Sequence, residues 1–158
     1  RPHRSRPAEL GLAGAHKLIG ALAAFDVDVA DRRALDAGAS TGGFTEVLLS
    51  RGAREVVAVD VGYGELAWSL RTDDRVAVHE RTNVRELTPE AIGGPVQLVV
   101  ADLSFISLRL VLPALTRCAT PDATCCRWSS PSSRWGGIGW AAAASSGTPR
   151  TAPTRCSR

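Results

Sequence analysis

One stretch constrains the rest of the chain: Leu35-Asp36-Ala37-Gly38-Ala39-Ser40-Thr41-Gly42-Gly43-Phe44. It follows a short apolar run and leads into residues 45–52, whose apolar spacing reads as helix. Strand, glycine-rich turn and helix in that order form the ligand-binding corner of a doubly wound α/β sheet. Glycines let backbone approach a ligand where a Cβ would clash. The helix N-terminus behind them presents free N–H groups.

The flanking sequence fits such a sheet. From Gly14, Leu18, Leu22 and Phe25 recur at helical spacing, with His16 and Lys17 in the first turn and an end before Asp28. Strands are expected at 33–36, 55–60, 76–79 and 96–102, with helices at 44–50, 65–71, 87–92 and 107–118. Thr88-Pro89 supplies the N-cap and first-turn proline of the third of these helices. Strand alternating with helix predicts a parallel sheet of about four strands. Asp36, Asp60 and Asp102 close the C-terminal ends of three of them. That edge is where open α/β sheets bind ligands. Trp68 and Phe105 read as core residues, and His16 as a capping or packing residue.

The two ends read differently. Residues 1–13 are Pro- and Arg-rich without periodicity and are expected to be a disordered remnant. Residues 125–158 contain no Leu, Val, Phe, Asp, Glu or Lys, and are expected to form a disordered tail. The net charge of +3 arises in that tail, whose five arginines face no acid; residues 1–124 carry 14 basic and 16 acidic side chains, 14 − 16 = −2. The alkaline balance is therefore poor support for nucleic-acid binding by the folded part. No apolar run reaches membrane-span length and no signal-peptide pattern opens the chain, so a cytoplasmic location is expected. The four cysteines lack zinc-ligand spacing, so neither metal nor disulfide is expected.

The turn itself discriminates between cofactors. Gly38, Ser40 and Gly43 occupy the three places of a G-x-G-x-x-G motif, so a side chain stands where backbone should meet a pyrophosphate. S-adenosylmethionine has no pyrophosphate, and its amino-acid end can lie along such a turn. Asp60 suits the ribose hydroxyls of either cofactor. Methyltransferase-type binding is favoured over a nicotinamide-dependent oxidoreductase. A membrane-active haemolysin is a third class, for which no basic amphipathic helix or apolar span speaks.

Five strings, GAHKL (14–18), LDAGASTGGFT (35–45), VVAVDVGYGELAWSLR (56–71), ERTNVREL (80–87) and VVADLSFISL (99–108), closely resemble the TlyA family. Its members are ribosomal RNA 2′-O-ribose methyltransferases, also known as haemolysins, with an FtsJ-like catalytic domain. The resemblance implies a Rossmann-like S-adenosylmethionine-dependent fold over residues 14–124. It implies a pocket for that cofactor lined by Asp36, Gly38, Ser40, Thr41, Gly42 and Phe44. Asp60 would take the ribose hydroxyls, with Val61 and Asn83 beside the adenine. Lys17 and Asp102 match the first two members of the FtsJ-like Lys–Asp–Lys–Glu catalytic set, and the partner implied is cytidine in ribosomal RNA.

The family's second catalytic lysine belongs to a VKPQFE-like segment after the fourth strand, which this sequence lacks. Codons exist for Cys125–Trp140 that, regrouped by one base, read Val-Lys-Pro-Gln-Phe-Glu, with the lysine spanning the codons of Ser129 and Ser130. Ala8–Ala13 regrouped in the same way joins Gly14 as VSRGAHKL. The expectation is a truncated chain with its core in frame and both ends out of frame. On that expectation the fourth strand becomes an open sheet edge and catalysis is impaired.

Overall fold

Every residue of Arg33–Ala37 is buried, as a strand covered on both faces requires. In the computed structural model, which describes residues 7–103, 107–129 and 139–144, this strand (β1) lies at the centre of a six-stranded sheet. The other strands are β2 (Glu55–Val59), β3 (Val76–His79), β4 (Val96–Asp102), β5 (Ala119–Ser129) and β6 (Gly139–Ala144). Their order is β3-β2-β1-β4-β5-β6, with the first five parallel and β6 antiparallel to β5. Leu35 stands opposite Val57 on one side and Val99 on the other. The chain order reverses between β1 and β4, so the crevice of a doubly wound sheet opens at their C-terminal ends.

Period-2 alternation divides the core between the two faces. Ala34, Val56 and Leu98 meet Leu18 and Leu22 of helix α1 (Pro7–Ala24) and Val47 and Leu48 of α2 (Gly43–Ser50). Leu35, Val57 and Val99 meet Val111 and Leu115 of α4 (Leu108–Cys118), together with Val84 and Leu87. The single-turn helix α3 (Trp68–Arg71) lies over the glycine turn.

Several expectations are corrected. Helix α1 begins at Pro7, not Gly14; proline is tolerated in a first helical turn, where its missing N–H would have no partner. The expected disorder of residues 1–6 lies outside the described residues. The helix expected at 65–71 is confined to Trp68–Arg71, because the Ala67 N–H donates to Thr41 O (3.1 Å) and the Ala67 backbone is extended. Trp68, expected in the core, is 75% exposed: Leu70 takes the inner face of α3, Leu66 is buried in the segment before it, and Trp68 stands on the outer face. His16 is exposed on α1 rather than packed. Phe105 lies outside the described residues.

The helix expected at 87–92 does not form. A 3-10 turn stands at Val84–Glu86, and Thr88 Oγ1 accepts the Ala91 N–H (3.2 Å). Gly93 and Gly94, both at positive φ, then close the segment as a turn, with the Gly94 N–H donating to Pro89 O (2.8 Å). The largest correction concerns the tail. The sheet has six strands rather than four, and β4 is not an edge: from Leu98↔Thr124 to Asp102↔Trp128 it pairs with β5. Ala123 and Cys126 are buried there, small apolar side chains sufficing where backbone pairing on both sides carries the strand. The expected disorder of residues 130–138 and 145–158 lies outside the described residues.

Candidate active site

The glycine turn is pinned between the ends of two strands. The N–H groups of Gly38 and Ala39 both donate to Val59 O at the end of β2 (2.9 and 3.0 Å). On the other side, a Cβ built on Gly38 would lie 2.7 Å from the carbonyl oxygen of Asp102 at the end of β4. Gly38 also has φ +83°, so both conformation and space demand glycine. Ser40 adopts φ +52° and its N–H donates to Asp60 Oδ2 (2.7 Å). The second Asp60 oxygen accepts the Gly62 N–H (2.8 Å). One carboxylate thus clasps the turn after β1 to the turn after β2.

Asp36 lies one layer deeper and is fully buried. Its Oδ2 accepts the Thr45 hydroxyl (2.7 Å), while Oδ1 is buried without a hydrogen-bond partner among the described residues. Burial pushes the Asp36 carboxyl up to about 7; the Thr45 hydrogen bonds offset part of this, and the Asp60 and Asp102 charges add to it. Above it, Lys17 Nζ from α1 stands 3.8 Å from Asp102 Oδ2, with side chains 39% and 24% exposed. Access for ligand and contact between the two charges coexist there.

The fold thus brings Lys17, Asp36, Gly38, Ser40, Asp60 and Asp102 to one sheet edge. The other expected ligands stand differently. Thr41 gives its carbonyl to α3. Gly42, at φ +99°, is roofed by Leu66 and Leu70, and the Phe44 ring packs against Gly14 in the core. Val61 is exposed, and the exposed Asn83 caps the 3-10 turn by accepting the Arg85 N–H (3.0 Å). Two participants were not singled out from the sequence. Thr45 is the buried partner of Asp36. Glu80, just beyond β3, pairs with Arg71 and accepts the Gly64 N–H (3.0 Å). Glu80 lines a shallow pocket with Ser40, Asp60, Gly62 and Leu66.

The FtsJ-like methyltransferase family matches residues 13–126. The chain belongs to that family. Over 110 residues it is 76% identical to the 16S/23S rRNA (cytidine-2′-O)-methyltransferase TlyA of Mycobacterium tuberculosis, covering 70% of this chain and 41% of that protein. The FtsJ-like chain therefore spans about two fifths of the length of this curated relative. A solved Streptococcus thermophilus structure, whose description carries the word hemolysin, aligns with TM-score 0.73 at 44% identity, over 75% of this chain and 43% of that one. An S-adenosylmethionine-dependent methyltransferase from Mesorhizobium loti shares the fold at TM-score 0.57 and 19% identity, over 69% of this chain and 51% of that one. Among the described residues, no helix is long and apolar enough to cross a membrane.

Proposed function

We propose that this FtsJ-like domain serves S-adenosylmethionine-dependent methylation of a ribose 2′-hydroxyl, at a cytidine of ribosomal RNA, in the cytoplasm. The observation that carries the reading is the Lys17–Asp102 pair beside the glycine turn. When bound, S-adenosylmethionine supplies an electrophilic methyl group on a positively charged sulfur. The edge suits a cation: the Asp60 and Asp102 carboxylates stand over the buried Asp36, and the absence of a Cβ at Gly38 lets the glycine turn close against the end of β4. Asp36, Gly38, Ser40 and Thr41 would hold the amino-acid half, with Gly42 and Phe44 shaping the turn from beneath. Asp60 would take the ribose hydroxyls, with Val61 and Asn83 flanking the base.

A ribose 2′-hydroxyl is a weak acid and needs a group that orients it and receives its proton during attack. The Lys17 ammonium, held at the mouth of the site by Asp102, is placed to orient the hydroxyl and to stabilise the negative charge that develops on its oxygen, and the uncharged amine would take the proton. Lys17 is also the only lysine of the chain, so the second lysine of a Lys–Asp–Lys–Glu set has no counterpart in it. We read residues 14–124 as the N-terminal part of the catalytic domain and 125–158 as an out-of-frame extension. The purified chain is therefore expected to bind the cofactor weakly and to transfer no measurable methyl group to ribosomal subunits.

Calorimetric titration with S-adenosylmethionine and with NAD tests the assignment. Saturable heat with the first and none with the second is expected, and preference for NAD overturns it. Dye release from liposomes would instead favour a membrane-active protein. Sequencing the gene across the codons for Thr124–Arg127 tests the out-of-frame reading.

A further inference from the structure

Glu80 lines the shallow pocket beside Ser40 and Asp60, and three segments of the site converge on its carboxylate. The Gly64 N–H donates to Glu80 Oε1 (3.0 Å), and the Arg71 guanidinium pairs with the same oxygen. Arg71 ends α3; Leu70 of that helix and Leu66 just before it roof Gly42, and the N–H of Ala67, which caps the helix, is bound to Thr41 O. Gly64 ends the turn that begins at Asp60, and that turn is laced to the segment after β3. The Arg81 N–H donates to Gly62 O and the Thr82 N–H to Asp60 O, both at 3.0 Å. The Arg81 guanidinium also lies over the Tyr63 ring, 4.4 Å from its centroid. Asp60 in turn holds the Ser40 N–H. The links run from Arg71 through Glu80, Gly64, Gly62 and Asp60 to Ser40, and return through α3 to Thr41.

We propose that Glu80 is a positioning residue for the adenosine half of the cofactor, fixing the Asp60–Gly64 turn and, through Asp60, the backbone at Ser40. The proposal rests on the methyltransferase reading for the identity of the ligand. The linkage between Glu80 and Ser40 stands independently of it. The Glu80 side chain is 14% exposed and that of Arg71 28%, so their ion pair is partly shielded from water, while the Gly64 hydrogen bond is exposed. A charged acceptor holding a backbone N–H and a guanidinium is among the stronger hydrogen-bonding arrangements available. The exposed Asp73–Arg75 pair nearby holds no other segment and serves as the control.

The decisive measurement is amide hydrogen exchange in the purified chain, comparing the wild type with Glu80→Gln, Arg71→Gln and Arg75→Ala. The Ser40 N–H is held by Asp60 and not by the Glu80–Arg71 pair, so a purely local role for the pair would leave its amide unchanged. Exchange at Ser40 and Gly62 is expected to accelerate about tenfold in the first two variants and not in the third, with Val57 in β2 unaffected. Calorimetry is expected to show adenosine and S-adenosylmethionine weakened by the same factor, with Glu80→Asp recovering part of it. Unchanged Ser40 exchange in folded Glu80→Gln overturns the proposal, as does unchanged adenosine affinity. Should Glu80→Gln fail to fold, Arg71→Gln decides by the same criteria. A wild type that binds neither ligand refutes the functional assignment, and the exchange experiment still decides the role of Glu80.

Discussion

A Cβ on Gly38 would stand 2.7 Å from the carbonyl oxygen of Asp102, so the glycine turn and the end of β4 touch backbone to backbone. Gly38→Ala must displace one of them and hold alanine at φ +83°. The left-handed backbone costs about 1–2 kcal/mol, and the collision should raise the total to about 2–4 kcal/mol. Gly64→Ala is the control, since it shares a positive φ of +74° but meets nothing within 4 Å. Urea midpoints of the two variants should therefore separate. Equal losses would show that backbone conformation alone is being measured.

Asp36 makes stability pH-dependent in a definite direction. Its carboxyl is raised to about 7, so between the ordinary carboxylate range and neutrality the folded state holds a proton that the unfolded chain has released. Stability from this group is therefore fully present below about pH 4 and is lost as pH rises through 7, by up to about 4 kcal/mol. Asp36→Asn keeps an acceptor for the Thr45 hydroxyl and cannot ionise. The difference in Tm between wild type and variant should swing in the variant's favour from pH 5 to pH 8. A difference that stays constant over that interval would refute the assignment.

Lys17 and Asp102 should contribute little to folding. The pair is 3.8 Å apart and partly exposed, and such contacts are worth less than about 1 kcal/mol. Lys17→Ala is thus expected to leave the denaturation midpoint nearly unchanged and cofactor affinity within a few-fold. Methyl transfer by a chain extended with the missing lysine segment should fall by a factor of 100 or more. A large loss of stability in Lys17→Ala would mark the lysine as structural.

How far the sequence could be read follows from what each segment uses to hold itself in place. Strands β3 and β4 stand at Val76–His79 and Val96–Asp102 as expected, since runs of valine between turn residues leave little alternative. Strand β5 was missed because Ala119–Ser129 carries alanine, threonine and cysteine, whose pairing with β4 supplies what side-chain area does not. At 87–92 the threonine cap was real, but the paired glycines at 93 and 94 ended the segment after one turn. Trp68 stands outside the core because the helix is a single turn whose one inward position is taken by Leu70, with Leu66 filling the space just before it. In the site, the strand-end acids were legible from position alone. Lys17 and Asp102 are marked in the sequence only by family resemblance, and their contact is a product of the fold. Glu80 escaped notice because a single acid after a short strand has no periodicity, and its partners come from α3 and from a turn.

Arg33 offers a test at the opposite end of β1, away from the site. Its guanidinium donates to Gly94 O (2.6 Å) and Ile92 O and pairs with Glu55 (3.1 Å), while its backbone N–H donates to Gln97 Oε1 (2.9 Å). The side chain thereby anchors the turn that delivers the chain into β4. Arg33→Met removes the donors and leaves two carbonyls poorly satisfied, at an expected cost of about 2–4 kcal/mol. Glu55 is exposed enough to be rehydrated, so the loss should stay below that of a fully buried ion pair. Because these contacts lie at the N-terminal end of the sheet, the affinity of the folded fraction for S-adenosylmethionine should be unchanged. Chemical denaturation and calorimetry at low temperature, where the variant remains folded, would separate the two effects. A loss of affinity without loss of stability would mean that the two ends of the sheet are coupled.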